Sequence, residues 1–215
     1  YWRTIAYDRV NDVVIIYDNL VSTDPMFRKK SLVHTIDKPR RIKDGFVTKV
    51  SANERPDRKA GRLQATVLFP EEANVMVIGG KGLDFLVDNI NFDDDGAVWK
   101  NVLKRKNNPP EPGRWRVEVS PAIAQERDRF LMILKPTIEN RQSGLRIRRL
   151  VTEKAIGSEI EGPHRMLKVL FPNNREGILV EIKDKMGSKT LDLTLETDNP
   201  EQKTMWQKFR HALGF

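Results

Sequence analysis

The chain of 215 residues contains no cysteine, which excludes disulfide bonds and metal sites built on thiolates. Its three histidines, His34, His164 and His211, have neither the His-x-His nor the His-x3-His spacing of a metal motif. A Gly-x-Ser-x-Gly motif is also absent, so no serine nucleophile is indicated. The sequence therefore predicts no cofactor, no metal site and no free-standing hydrolase.

Long apolar runs are also missing. No stretch approaches the about 18 apolar residues that a membrane-spanning helix requires, so no membrane span is predicted. The chain begins at Tyr1 rather than Met, and no charged segment followed by an apolar one, as in a secretory leader, comes after it. We therefore expect this chain to be a piece of a longer protein.

Basic residues outnumber acidic ones by 38 to 30, giving a net charge of +8. Such an excess favours polyanionic partners such as acidic polysaccharides, anionic membranes or nucleic acids, although it also serves general solubility. Aromatic residues make up only 7% of the chain, whereas binding of single-stranded nucleic acid needs aromatics interleaved with basic residues. Nucleic acid is therefore the less favoured partner.

Short segments rich in β-branched and aromatic residues recur along the chain, separated by Gly, Pro, Asn and Asp. The segments predicted as strands are Trp2–Tyr7, Val13–Val21, Lys30–Thr35, Phe46–Ala52, Leu63–Phe69, Val75–Ile78, Phe85–Val87, Trp115–Val119, Phe130–Leu134, Leu145–Val151, Met166–Phe171, Ile178–Ile182 and Leu191–Leu195. This pattern predicts an all-β fold, an antiparallel multi-stranded β-sandwich.

A short C-terminal helix is predicted after these strands, because Pro200 suits a first turn and Met205, Phe209 and Leu213 form an apolar stripe. We expect a single sandwich domain over residues 1–215. An alternative division has main sheets over residues 1–136, with closing strands and the helix over residues 137–215.

Two strands carry informative patterns. Val13–Ile16 is apolar throughout, which predicts burial on both faces. Arg114–Ser120 alternates instead, which predicts one face in the core and one in water. The predicted core residues are Trp115, Val117 and Val119, and the predicted water-facing residues are Arg114, Arg116, Glu118 and Ser120.

The predicted loop Asp37–Gly45 carries Lys38, Arg40 and Arg41. Together with the basic segment Asn53–Gly61, it could form an anion-binding rim at one end of the sheet, which makes Lys38, Arg40 and Arg41 the candidate substrate-binding residues. Solvated hairpin tips whose charges prevent edge-to-edge association are the alternative.

A series of motifs runs in order through roughly the first two-thirds of the chain: Arg3–Tyr7, Tyr17–Pro25, Phe27–Thr35 with Pro39, Gly61–Glu71, Gly79–Gly82 with Val87 and Asp88, and Gly113–Pro121. Together they resemble the C-terminal β-sheet region of heparinase II/III-like polysaccharide lyases. The resemblance implies an N-terminal α/α toroid, absent from this chain, followed by antiparallel sheets. It also implies a periplasmic or secreted location and an acidic polysaccharide as partner.

Such lyases cleave uronic-acid-containing polysaccharides by β-elimination: a base removes the proton next to the carboxylate, whose charge is neutralised, and an acid protonates the leaving oxygen. In this family the toroid supplies a tyrosine, and the sheet domain supplies a histidine and, in several members, a zinc site. The resemblance assigns the sheet-domain histidine to His34. Metal-bearing members have a second histidine two residues further on, where this chain has Ile36, so zinc is not supported.

The residues around His34 favour a different interpretation. In a regular strand, Leu32, His34 and Ile36 share one face, and a histidine between two aliphatic residues is typical of a half-buried core side chain. We therefore expect His34 to be catalytic only in an intact enzyme, to belong to the core here, and the chain alone to be inactive. A non-catalytic polyanion- or carbohydrate-binding or structural sandwich module is the alternative.

Overall fold

The computed structural model describes residues 1–50, 60–80, 83, 86–87, 90–91, 113, 115–138 and 144–195. Within these ranges the chain is all β, and the strand pairs whose register is defined are antiparallel. The predicted all-β antiparallel fold is confirmed. The predicted C-terminal helix lies outside the described residues. Over the described part of the chain, no helix has the length and apolar character needed to cross a membrane.

The strands are β1 (Trp2–Asp8), β2 (Val13–Val21), β3 (Ser31–Thr35), β4 (Arg40–Ile42), β5 (Gly45–Val50), β6 (Gly61–Phe69), β7 (Ala73–Gly79), β8 (Leu86–Val87), β9 (Ile90–Asn91), β10 (Trp115–Pro121), β11 (Arg127–Ile138), β12 (Arg146–Val151), β13 (Ala155–Glu161), β14 (Arg165–Pro172), β15 (Glu176–Asp184) and β16 (Gly187–Leu195). They fall into two compact units, one of Tyr1 and Arg3–Ser143, the other of Trp2 and Gly144–Phe215. The boundary comes shortly after the predicted division at residues 136 and 137.

The first unit is a sandwich of a six-stranded sheet, ordered β1-β2-β11-β6-β5-β4, and a three-stranded sheet, ordered β3-β10-β7. Their facing sides form one hydrophobic core, as expected for two stacked antiparallel sheets. The buried members of this core are Phe46, Ala65, Val75, Val117, Val119, Phe130 and Met132. A separate pairing joins β8 to β9.

Strand β2 agrees with the sequence pattern, since Val13 and Ile15 are fully buried and Val14 and Ile16 are partly buried. Strand β10 agrees only in part. Val117 and Val119 lie in the core as predicted, but the prediction that Glu118 faces water is wrong, because its side chain is buried within a cluster of cations.

The second unit contains a five-stranded sheet in which consecutive strands pair from β12 to β16. One face supplies the buried residues Ile156, Ile160, Leu167, Val169, Phe171 and Ile178. The other face carries ion pairs between neighbouring strands. Arg148 and Glu159 approach to 2.8 Å, and Lys168 and Glu181 to 3.0 Å, which is the arrangement expected of a solvated sheet face.

Candidate functional site

His34 lies on the outer face of the three-stranded sheet, the face that points away from the six-stranded sheet. Along β3, Val33 packs against the sandwich core, whereas Leu32 and His34 point the other way. Leu32 is 51% exposed and His34 is exposed. The prediction that His34 belongs to the core is therefore wrong, because its aliphatic neighbour marks an open face of the sheet rather than a buried one.

One ring nitrogen of His34 is anchored to the backbone. Its Nδ1 lies 3.3 Å from the carbonyl oxygen of Gly113, and a carbonyl oxygen can only accept a hydrogen bond. Nδ1 therefore carries the hydrogen, and in the neutral ring Nε2 keeps its lone pair. A Cβ atom at Gly113 would lie 3.0 Å from the His34 Cβ, so a glycine permits this close approach. The arrangement leaves an oriented imidazole in which Nε2 can accept a proton.

A charge cluster borders His34 on the same face. In the antiparallel pairing of β3 with β10, His34 is opposite Arg116 and Leu32 is opposite Glu118. The Glu118 carboxylate accepts hydrogen bonds from Lys30 Nζ at 2.5 Å and from Arg116 Nε at 2.9 Å. Arg116 Nη1 donates to the Leu86 carbonyl oxygen at 2.6 Å. The guanidinium is thus fixed beside the histidine, and the cluster carries one excess positive charge.

Glu118 stays ionised within this cluster. Burial alone would raise the pKa of its carboxyl group, but the hydrogen bonds and charges of Lys30 and Arg116 outweigh burial and hold that pKa below its usual value. The Lys30 side chain is 41% exposed, whereas the Glu118 side chain is 6% exposed. Lys30 is therefore the member of the cluster that an anionic ligand can reach from solvent.

The basic residues predicted to bind substrate lie elsewhere on the sandwich. Lys38 Nζ lies 5.2 Å from the centroid of the Trp115 ring, at the distance of a cation–π contact. Trp115 is opposite Thr35 in the register, so its side chain projects from the inner face of the three-stranded sheet. Lys38 thus contacts a residue of the inner face, whereas His34 lies on the outer one.

Arg40 and Arg41 belong to strand β4, so the prediction that Asp37–Gly45 is entirely loop is wrong. Residues 40–42 pair with β5 across a tight turn. Arg40 is opposite Val47 and Arg41 is opposite Phe46, and adjacent strand residues point to opposite faces. The two exposed arginines therefore diverge, and the structure does not gather Lys38, Arg40 and Arg41 on one face with His34. Their role in substrate binding stays a prediction.

The remaining histidines are not near this site in the sequence or the strand pairing. His164 is exposed in the connection between β13 and β14 of the second unit. His211 lies outside the described residues. Over the described ranges, no three His, Asp or Glu side chains come together in a way that could hold a metal ion.

No protein-family model matches the chain, and no curated protein is detectably similar to it. The site is therefore interpreted from its own geometry. Sequence reasoning missed Lys30, Glu118 and Gly113 as parts of it. The alternation of Arg116 and Glu118 places both on one face and could have indicated an ion pair. No local signal indicates Lys30 or Gly113, because each reaches the site from another segment.

Proposed function

We propose that this chain is a β-sandwich domain of a heparinase II/III-like lyase, forming one wall of a cleft for uronic-acid-containing polysaccharide. The observation that carries the proposal is the geometry of His34, which is exposed and anchored through Nδ1 to the Gly113 carbonyl oxygen, so that the lone pair of the neutral ring is on Nε2. Such an imidazole suits proton transfer at a sugar ring.

The chemistry of β-elimination assigns a task to each group on the outer face. His34 Nε2 takes the proton from the carbon next to the uronate carboxylate. The electrons of that C–H bond form the new double bond, and the glycosidic C–O bond breaks. Lys30, half exposed beside Glu118, neutralises the substrate carboxylate and so stabilises the charge that develops at this carbon. The acid that protonates the leaving oxygen is expected, from the family resemblance, to be a tyrosine of the toroid.

A non-catalytic module that binds acidic polysaccharide is the second candidate. The exposed, divergent cations Lys38, Arg40 and Arg41 favour it, because they can hold a polyanion without any proton transfer. The two candidates differ in the role of His34: a lyase domain requires its imidazole at the sugar, whereas a binding module does not.

Titration with an unsulfated oligouronate tests the proposal on the chain as it exists. We expect the His34 ring signals in NMR spectra to shift on addition of the oligosaccharide, and His34→Gln to weaken binding. The matched control is His164→Gln, an exposed histidine of the second unit, which should bind like the unaltered chain. Loss of affinity only on replacing Lys38 or Arg41 would favour the binding module.

Ultraviolet absorbance provides a second readout, because β-elimination creates an unsaturated uronate. We expect the chain alone to produce none of this absorbance from alginate or heparin, since the acid is absent. Adding a catalytic toroid from a lyase of this kind should restore product formation with His34 present and not with His34→Gln. Product formation by the chain alone would contradict this assignment.

A further inference from the structure

Three cations lie on the strands β4, β5 and β6 at one edge of the six-stranded sheet, on the face directed away from the core shared with the three-stranded sheet. Lys49 on β5 is directly opposite Arg62 on β6. Arg40 on β4 is opposite Val47, which lies two residues before Lys49 and therefore on the same face. Arg40, Lys49 and Arg62 together form the basic face.

Placing two cations directly opposite each other on adjacent strands destabilises a sheet. The second unit avoids this arrangement. Its cross-strand charged partners have opposite signs: Arg146 with Glu161, Arg148 with Glu159, Arg165 with Asp184 and Lys168 with Glu181. The like-charge partners Lys49 and Arg62 are therefore not explained by the way this chain otherwise stabilises its sheets.

The basic face also lacks neutralising partners among the residues that the structure describes. No described carboxylate lies within 4.0 Å of Arg40, Lys49 or Arg62. Arg62 Nη2 donates to Gln64 Oε1 at 3.2 Å, which orients its guanidinium without reducing its charge. Arg40 and Lys49 are exposed. An anion bound there would satisfy three positive charges and relieve their mutual repulsion.

We propose that the basic face is a second binding surface for acidic polysaccharide, separate from the His34 face, where carboxylate or sulfate groups bridge Lys49, Arg62 and Arg40. The choice of polysaccharide rests on the proposed function. The three cations lie on three neighbouring strands, and Arg40 is displaced by two residues along the strand direction from the other two, so they can contact successive anionic groups of an extended polymer. The basic face would bind a part of the polysaccharide that is distant from the sugar undergoing elimination.

Lys49→Glu gives this proposal a signature that a structural role would not give. The variant replaces a repulsive pair by a Glu–Arg pair, so we expect a higher denaturant midpoint. The same change should weaken binding of a sulfated oligosaccharide such as a heparin fragment by about tenfold and reduce the salt dependence of binding. Lys49→Gln removes the positive charge without adding a negative one, so it should also weaken binding, but less than Lys49→Glu does.

Lys168→Glu is the matched control, because it reverses a cation that faces Glu181 on the charged face of the five-stranded sheet. It should lower stability and leave oligosaccharide binding unchanged. Unchanged binding of the sulfated oligosaccharide by both Lys49 variants would overturn the proposal that the basic face binds polysaccharide. If His34→Gln still weakens oligouronate binding in that case, the proposed function survives while this inference fails. The proposal would also be overturned if the Lys49 variants lost binding to single-stranded DNA but bound the polysaccharide as tightly as the unaltered chain.

Discussion

Replacing Glu118 by glutamine tests whether the charge cluster beside His34 holds the outer face of the three-stranded sheet in place. The Glu118 carboxylate, 6% exposed, accepts hydrogen bonds from Lys30 Nζ at 2.5 Å and from Arg116 Nε at 2.9 Å, and it lies 2.7 Å from Arg116 Nη2. Without its charge, Arg116, whose side chain is 14% exposed, loses its counter-ion. Removing one partner of a buried ion pair costs about 3 to 5 kcal/mol.

The expected loss lies at the lower end of that range. Lys30 is 41% exposed and can turn to water, and the glutamine amide oxygen can still accept one hydrogen bond. We therefore expect Glu118→Gln to lower the free energy of unfolding by about 3 kcal/mol. With a urea dependence of about 2 kcal/mol per molar, the unfolding midpoint should fall by about 1.5 M.

Asp12→Asn is the matched control within the same unit. Asp12 is 51% exposed and lies 3.7 Å from Lys135, and its φ of 54° is one that asparagine also adopts readily. Urea unfolding followed by tryptophan fluorescence should show a change below about 1 kcal/mol for this variant. An equally small change for Glu118→Gln would refute the reasoning, because it would mean that the cluster contributes no more than a surface pair.

Three further expectations follow from the same structure. Because the pKa of Glu118 is lowered in the folded chain, its stabilising contribution is present above its unfolded-state pKa of about 4.3 and is lost as the pH falls through its folded-state pKa. The free energy of unfolding should therefore depend less steeply on acidic pH in Glu118→Gln than in the unaltered chain. Lys29→Met should cost about 3 to 5 kcal/mol in urea unfolding, because the Asp128 carboxylate, 1% exposed, loses its ion-pair partner at 2.9 Å and keeps only the hydrogen bond from Gln125 among the described residues. Adding Asp128→Leu should recover most of the loss. Gly113→Ala should break the Nδ1 hydrogen bond of His34, since the new Cβ would lie 3.0 Å from the His34 Cβ, and ¹⁵N spectra of the ring should then show both tautomers.

The sandwich was predictable because its main strands carry strong local signals. The apolar segment within β2 and the alternation of β10 each fit a pleated strand with a defined buried face. Strand β13 was missed because Gly157 and Ser158 have weak strand propensity. The fold explains that glycine: a Cβ there would lie 1.9 Å from the carbonyl oxygen of Val169 on the neighbouring strand. Close backbone approach of this kind is decided by tertiary structure and leaves no periodic signal.

The candidate site was predictable only as a single residue. His34 could be selected by resemblance, but its exposure depends on which face of β3 packs against the other sheet. Its aliphatic neighbours wrongly indicated that it lies on the packed face. Its hydrogen-bond partner Gly113 is 79 residues away along the chain. The burial of Glu118 depends on Lys30, which precedes a different strand. Both contacts arise from the pairing of β3 with β10, which local sequence does not encode.

The most direct test of the account is an NMR titration of the His34 ring with an oligouronate. Ring ¹⁵N shifts report the tautomer, and the account predicts a hydrogen on Nδ1 and a lone pair on Nε2 in the free chain. On addition of the oligosaccharide, the Nε2 signal of His34 should shift with the binding isotherm while that of His164 stays unchanged. Saturable oligouronate binding that leaves the His34 ring signals unmoved would contradict the central claim.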